Sequence, residues 1–258
     1  MLQIRNLSKS FNIGTENETN IFNGFNFNVK ENEFVAILGS NGCGKSTLFN
    51  LISGSLQNDG GSIILDGIEI GKLKEEKRAL KIGKIHQDPS MGVSPSLTIL
   101  ENISLANKKG EKFSLKSLIK KSNISRFIEL LKELDLGLEN KLDTQVKFLS
   151  GGQRQALSLL MTTLKKPKLL LLDEHTSALD PKTSKVIMEK TKELIQKQKI
   201  TTLMISHNLR DAIKYADRIV MLDKGKVILD LPSKNLTEEE LVKIYNSKIN
   251  NSPISIAV

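Results

Sequence analysis

The sequence predicts an α/β fold with a mostly parallel sheet, an N-terminal antiparallel β region and an inserted α-helical subdomain. Three observations predict it. The apolar runs FVAILG, KLLLLD, ITTLMIS and RIVMLD alternate with helical patterns, as strands covered by helices do. Two segments near the start, LQIRNL and FNFNVK, alternate apolar and polar residues and read as half-buried strands. Across residues 88–165 the strand signal gives way to apolar residues at helical spacing.

Taken in order, FVAILG is a continuous apolar run, expected of a strand buried on both faces. A glycine-rich turn and the helix KSTLFNLISG, closed by Gly54, follow it. SIILDGIEI reads as a strand and turn, and KIGKIHQ as a strand ending at Gln87. Thr98 and Glu101 form a capping box that opens the helix TILENISLA. SRFIELLKELDL and the stretch after SGGQ carry apolar residues at helical spacing. Helices are expected at about 182–197 and 208–216 between the last strands, and Thr237 with Glu240 opens a short final helix before a loose tail, NNSPISIAV. This gives one domain over 1–232, with core segments 1–87 and 166–232 around the helical stretch 88–165, then a helix and tail over 233–258.

The chain has 258 residues and no apolar stretch near the roughly 18 that a membrane-spanning helix needs. Its start lacks the apolar run of a secretory signal, and Cys43 is the only cysteine. These features point to a reducing, cytoplasmic setting. The net charge is +9, with a basic concentration at Lys108, Lys109, Lys112, Lys116, Lys120, Lys121 and Arg126 against Glu111. Only Phe113 and Phe127 accompany it, and nucleic-acid modules interleave more aromatics. A solvated or membrane-proximal face is the better reading, with no nucleic-acid partner.

GSNGCGKST at 39–47 matches the phosphate-binding pattern G-x-x-x-x-G-K-[ST], with an apolar strand before it and a helix after it. Gly39, Gly42 and Gly44 let the backbone curl through Ser40, Asn41 and Cys43, so that N–H groups converge on phosphate oxygens. The helix start adds partial positive charge. Lys45 reaches the β and γ phosphates and Ser46, followed by Thr47, supplies a hydroxyl for Mg²⁺. LLLLDEHTSALD delivers two acids to the carboxyl end of a strand. Asp173 there can hold Mg²⁺ through a coordinated water, and Glu174 can activate the attacking water.

LSGGQRQ at 149–155 completes a set. The phosphate loop, this motif and LLLLDEHTSALD together resemble the ATP-binding-cassette (ABC) ATPases, in the family order and over about residues 1–232. The resemblance implies a P-loop NTPase (RecA-like) core that binds ATP and Mg²⁺ and works as a head-to-tail pair of identical copies. Ser150, Gly151, Gly152 and Gln153 of one copy then close on the γ-phosphate held by the other. Gln87 matches a glutamine that touches metal and water and relays nucleotide state to a membrane subunit. Phe11 stands where an aromatic ring stacks on adenine, usually a tyrosine. Ser177, Ala178, Leu179 and Asp180 match the loop that crosses the pair, and His207 matches the histidine that contacts γ-phosphate and base. The resemblance thus makes Glu174, His207, Gln87 and Lys45 the catalytic set.

Within the family, QDPSMGVSPSLT, SGGQRQALSLLMTTL and DEHTSALDPKT look most like a bacterial importer group associated with tryptophan/tyrosine-type or other amino-acid-like uptake. This implies permease partners, indirectly a solute-binding protein, and a peripheral place on the cytoplasmic face of the inner membrane. An iron–sulfur-assembly ATPase or an exporter ATPase are the alternatives. His175 replaces the proline common after the acidic pair and is expected to shape the turn, and His86 is expected to be structural. If the Cys43 thiolate forms, a bulky adduct there should block nucleotide.

Overall fold

The computed structural model describes residues 1–112, 117–234 and 236–248. Phe113 and Lys116 of the basic stretch and the NNSPISIAV tail lie outside the described residues. In chain order the elements are β1 (Leu2–Phe11), β2 (Thr19–Val29), β3 (Phe34–Gly39), α1 (Lys45–Ser53), β4 (Gly60–Leu65), β5 (Ile68–Glu69) and α2 (Glu75–Ala79). There follow β6 (Ile82–Ile85), α3 (Ile99–Asn107), α4 (Lys121–Lys132), α5 (Gly151–Thr163), β7 (Leu169–Asp173) and α6 (Pro181–Gln198). The last are β8 (Thr201–Ile205), α7 (Leu209–Tyr215), β9 (Arg218–Asp223), β10 (Lys226–Pro232) and α8 (Glu238–Lys248). The fold is mixed α/β with parallel and antiparallel pairing. The chain divides into two compact units: Met1–Glu75 with the chain from Thr201 onward, and Glu76–Ile200.

In the first unit β1 pairs antiparallel with β2 and β4, in the order β2-β1-β4-β5. The register sets Leu2 against Val29 and Leu65, and Ile4 against Phe27 and Ile63. All six of these side chains are buried, so the alternation read from LQIRNL and FNFNVK builds one apolar face. In the second sheet of this unit β3 runs parallel to both β8 and β9. Every residue of β3 is buried, as its continuous apolar run predicts. Strand β10 is an addition to the sequence expectation. Lys224 and Gly225 both have positive φ, 44° and 71°, and turn the chain so that Lys226 pairs with Asp223. Positive φ at both central residues is the tight hairpin turn whose twist suits antiparallel strands. The final helix carries its expected capping box, with Glu240 N donating to Thr237 Oγ1 at 3.2 Å.

In the second unit β6 and β7 pair in parallel from Ile82 opposite Leu169 to Ile85 opposite Leu172. Strand β6 ends at Ile85, two residues earlier than KIGKIHQ suggests, because its ladder with β7 stops there. Gln87 therefore sits on a loop and is exposed. Leu169, Leu170, Leu171 and Leu172 are fully buried. Each contributes about 1.5–3 kcal/mol of transfer free energy, which anchors the strand that ends in Asp173. Helices α3 to α6 enclose a core that includes Ile103, Phe127, Leu131, Leu157 and Ile187. The Thr98 box opens α3 as expected, with Glu101 N donating to Thr98 Oγ1 at 3.2 Å and Thr98 N donating to Glu101 Oε2 at 2.7 Å.

Candidate functional site

The first unit carries the phosphate loop and His207. Strand β3 delivers Gly39, whose φ is +148° and whose Cβ, if present, would meet Cys43 Sγ at 2.7 Å and overlap the Leu222 carbonyl. Gly44 caps α1 with φ +109°, and a Cβ there would stand 2.9 Å from Phe22 Cζ. Both positions therefore require glycine. Gly42, with φ +78°, faces open space, and Asn41 beside it is exposed. Cys43 N donates to Ser40 O at 3.3 Å and closes the turn. Lys45 is only 5% exposed, and its ammonium donates to the carbonyls of Gly39 at 2.7 Å and Ser40 at 2.9 Å. Ser46 is exposed and Thr47 half-buried on the first turn of α1. His207 follows the carboxyl end of β8, where Ile205 pairs with Ile37 of β3. The structure thus brings the loop and the exposed His207 to the same end of two neighbouring parallel strands. Phe11, at the end of β1, is half-buried, outside the buried core, with Lys9 Nζ 5.4 Å from its ring centroid.

The second unit carries the acids, the glutamine loop and the SGGQ turn. Asp173 ends β7, and its carboxylate lies 3.9 Å from the Lys84 ammonium. Glu174 follows with φ 48°, a left-handed conformation that is uncommon outside glycine. The Ser177 N–H and hydroxyl both donate to the Glu174 carbonyl, at 3.0 and 2.9 Å, and fix that turn. Asp180 caps α6 by accepting from Thr183 N at 3.0 Å, and the Thr183 hydrogen bonds hold its carboxyl below the usual carboxylate range. Ser150 caps α5 in a reciprocal box with Gln153, both bonds at 3.2 Å. The first N–H groups of that helix have no acceptor within the helix, and the exposed Ser150 stands beside them.

Two sets of contacts in this unit have no signal in the sequence. A Cβ on Gly151 would meet Leu179 Cδ2 at 3.2 Å, and one on Gly152 would overlap the Thr183 methyl. The two glycines therefore let the SGGQ turn lie against the SALD loop and the start of α6. Secondly, Arg154 Nη1 donates to Ser90 Oγ at 3.0 Å and Gln155 Nε2 to the His86 carbonyl at 3.1 Å. These bonds tie α5 to both sides of Gln87.

The family model described as "ABC transporter" matches residues 22–177, a span that contains the phosphate loop, Gln87, the SGGQ turn and both acids. The chain belongs to the ABC transporter family. A tyrosine transport ATP-binding protein of Clostridioides difficile is 48% identical over 95% of this cassette and 98% of that relative. A phosphonates import ATP-binding protein of Oceanobacillus iheyensis is 34% identical over 95% of each chain. A spermidine/putrescine import ATP-binding protein of Haemophilus influenzae is 35% identical over 93% of the cassette, which spans 60% of that relative. Among solved structures, a dimeric ATP-binding cassette in a post-hydrolysis state with ADP and Pi matches with TM-score 0.76 and 29% identity, over 92% of this chain and 100% of that one. The structure of cbiO1 from Clostridium perfringens matches with TM-score 0.77 and 29% identity, over 96% and 95%.

The cassette binds and hydrolyses ATP, and its residues fit that substrate. The glycines of the loop leave the backbone free to approach phosphate, and the Lys45 ammonium is folded onto it. Ser46 in one unit, and Gln87 and Asp173 in the other, each offer oxygen donors, the kind of ligand that Mg²⁺ selects. Cys43 is 4% exposed. Burial pushes its thiol above the ordinary value, against the lowering effect of the Lys45 ammonium. Cys43 is therefore shielded from thiol reagents in the folded cassette. Cys43 is expected to react with a thiol reagent at least about tenfold more slowly than it does in urea, since the thiolate is the nucleophile. Equal rates in a thiol-release assay would contradict this.

His175 is 1% exposed, and its Nε2 lies 3.3 Å from Thr191 Oγ1. The Thr191 hydroxyl donates to the Ile187 carbonyl at 2.7 Å, so it accepts from a neutral histidine protonated at Nε2. Burial lowers the His175 pKa from 6.5 to about 4. Between those values the unfolded chain binds the proton and the folded chain does not. Stability is therefore full above pH 6.5 and falls as the pH drops towards 4. About 2 kcal/mol is expected to be lost between pH 7 and pH 5 through this group. His175→Gln keeps a donor for Thr191 and should flatten that part of the urea-denaturation profile. An unchanged acid slope in the variant would remove His175 as the cause.

Proposed function

We propose that this chain is the ATP-hydrolysing, energy-coupling subunit of a bacterial ABC importer for a small, amino-acid-like solute. The observation that carries the reading is its 48% identity, nearly end to end, to a tyrosine transport ATP-binding protein. Other import ATP-binding proteins among its relatives support import over export or iron–sulfur assembly. Two copies pair head to tail, as the dimeric cassette of similar fold supports. The pair sits on the cytoplasmic face of the inner membrane against permease subunits, with a solute-binding protein as an indirect partner.

In the proposed cycle Phe11 stacks on adenine through its half-exposed ring. The loop Gly39–Thr47 holds the phosphates, and Lys45 leaves the Gly39 and Ser40 carbonyls to pair with the β and γ phosphates. Ser46, Asp173 through a water, and Gln87 would hold Mg²⁺, which when bound neutralises phosphate charge. Ser150, Gly151, Gly152 and Gln153 of the second copy donate to the γ-phosphate, with Asp180 crossing to the partner. Glu174 takes the proton of the attacking water, and His207 holds the γ-phosphate and that base in register. The bonds from Arg154 and Gln155 make the loop of Gln87 move with the SGGQ helix. Residues 88–165 act as the helical subdomain that passes this motion to the permease.

Gentle membrane extraction with the tagged chain, followed by mass identification of co-purifying proteins, tests the reading. A permease and a solute-binding lipoprotein are the expected partners. Recovery of soluble assembly proteins alone overturns import.

A further inference from the structure

Lysine is out of pattern in β6. Ile82, Gly83 and Ile85 are buried, and the facing strand is LLLL up to Asp173. A lysine inside such a pair is unfavourable unless an anion compensates it. The register supplies one. Lys84 pairs directly with Leu171, so Asp173, two residues on, is its diagonal neighbour on the same face. A long side chain spans that diagonal, and the ammonium reaches to 3.9 Å from the carboxylate, with the side chains only 15% and 20% exposed.

We propose that Lys84 is a positioning residue for Asp173, a resident counter-cation that a divalent ion must displace from this carboxylate. The inference rests on the reading of Asp173 as a holder of Mg²⁺. A divalent charge arriving at the carboxylate meets a nearby like charge in a partly water-excluded setting. The ammonium then withdraws along its flexible stem, and the metal takes over the compensation of Asp173. Lys84 thereby holds the acid in place in the empty cassette and raises the divalent concentration needed to load it.

The test titrates Mn²⁺ into the chain at fixed ADP and follows free Mn²⁺ by electron paramagnetic resonance, which needs no turnover. Lys84→Met should lower the half-saturating Mn²⁺ concentration on the order of tenfold. Lys84→Arg, which restores the positive charge, should raise it back to the wild-type value or above. Without Mn²⁺, Lys84→Met should melt below wild type, and saturating Mn²⁺ with ADP should close that gap. If the methionine variant does not fold, Lys84→Gln carries the same expectation. Wild-type or weaker Mn²⁺ affinity in the folded neutral variant overturns the proposal. Asp173→Asn separates the two levels: loss of Mn²⁺ affinity there supports the reading of Asp173, and retention sinks that reading whatever Lys84 does.

Discussion

Glu174→Gln is expected to leave ATP binding intact and to cut turnover by about two to four orders of magnitude, the range a positioned general base supplies. The buried leucines of β7 anchor the strand, and the carbonyl of Glu174 is held by both donors of Ser177. The backbone accepts a left-handed φ of 48° there, a conformation that costs about 1–3 kcal/mol and persists only where the surroundings impose it. Glutamine keeps the size and leaves the backbone turn in place, and it loses the charge and with it the capacity to take a proton. In the proposed cycle Asp173 is engaged with Mg²⁺ through a water and does not replace Glu174 as base. Steady-state phosphate release with a parallel nucleotide-binding titration separates the two effects. A Glu174→Gln protein turning over at the wild-type rate would remove Glu174 as the base.

Lys45→Ala is expected to act on binding itself, weakening ATP by about 2–5 kcal/mol, the usual cost of removing one partner of a buried charge pair. The ammonium occupies two loop carbonyls at 2.7 and 2.9 Å and exchanges them for phosphate oxygens. Removing it also leaves those carbonyls without their donor, so some loss of stability should accompany the loss of affinity. Calorimetric titration with a non-hydrolysable ATP analogue checks the prediction, and an unchanged dissociation constant contradicts it. The contrast between the two variants, one losing turnover and one losing binding, separates the roles of loop and acid.

Much of this was legible before the structure. The continuous run FVAILG gives a strand buried on both faces, and the Thr98 and Thr237 boxes mark true helix starts. Motifs with fixed spacing carry the site because each needs particular atoms at a turn: glycines where a Cβ collides, a lysine that folds back, acids at a strand end. What was illegible is what depends on another segment. The stop of β6 at Ile85 follows from its ladder with β7. The Gly152–Thr183 packing and the bonds from Arg154 and Gln155 to Ser90 and His86 join residues far apart in sequence. His175 looks chemical by position, between an acid and a threonine, yet it is buried against Thr191 and neutral. The hairpin at Lys224–Gly225 did have a local signal, a glycine between a strand and the apolar run VIL.

In the proposed cycle two copies close on ATP, and Glu174 ends the closed state. Sedimentation of Glu174→Gln with and without ATP and Mg²⁺ distinguishes this from a cassette that works alone. A species of twice the chain mass is expected to form on adding ATP and Mg²⁺ and to persist, and ADP should not produce it. A variant that binds ATP yet sediments as a single chain would rule out closure on ATP.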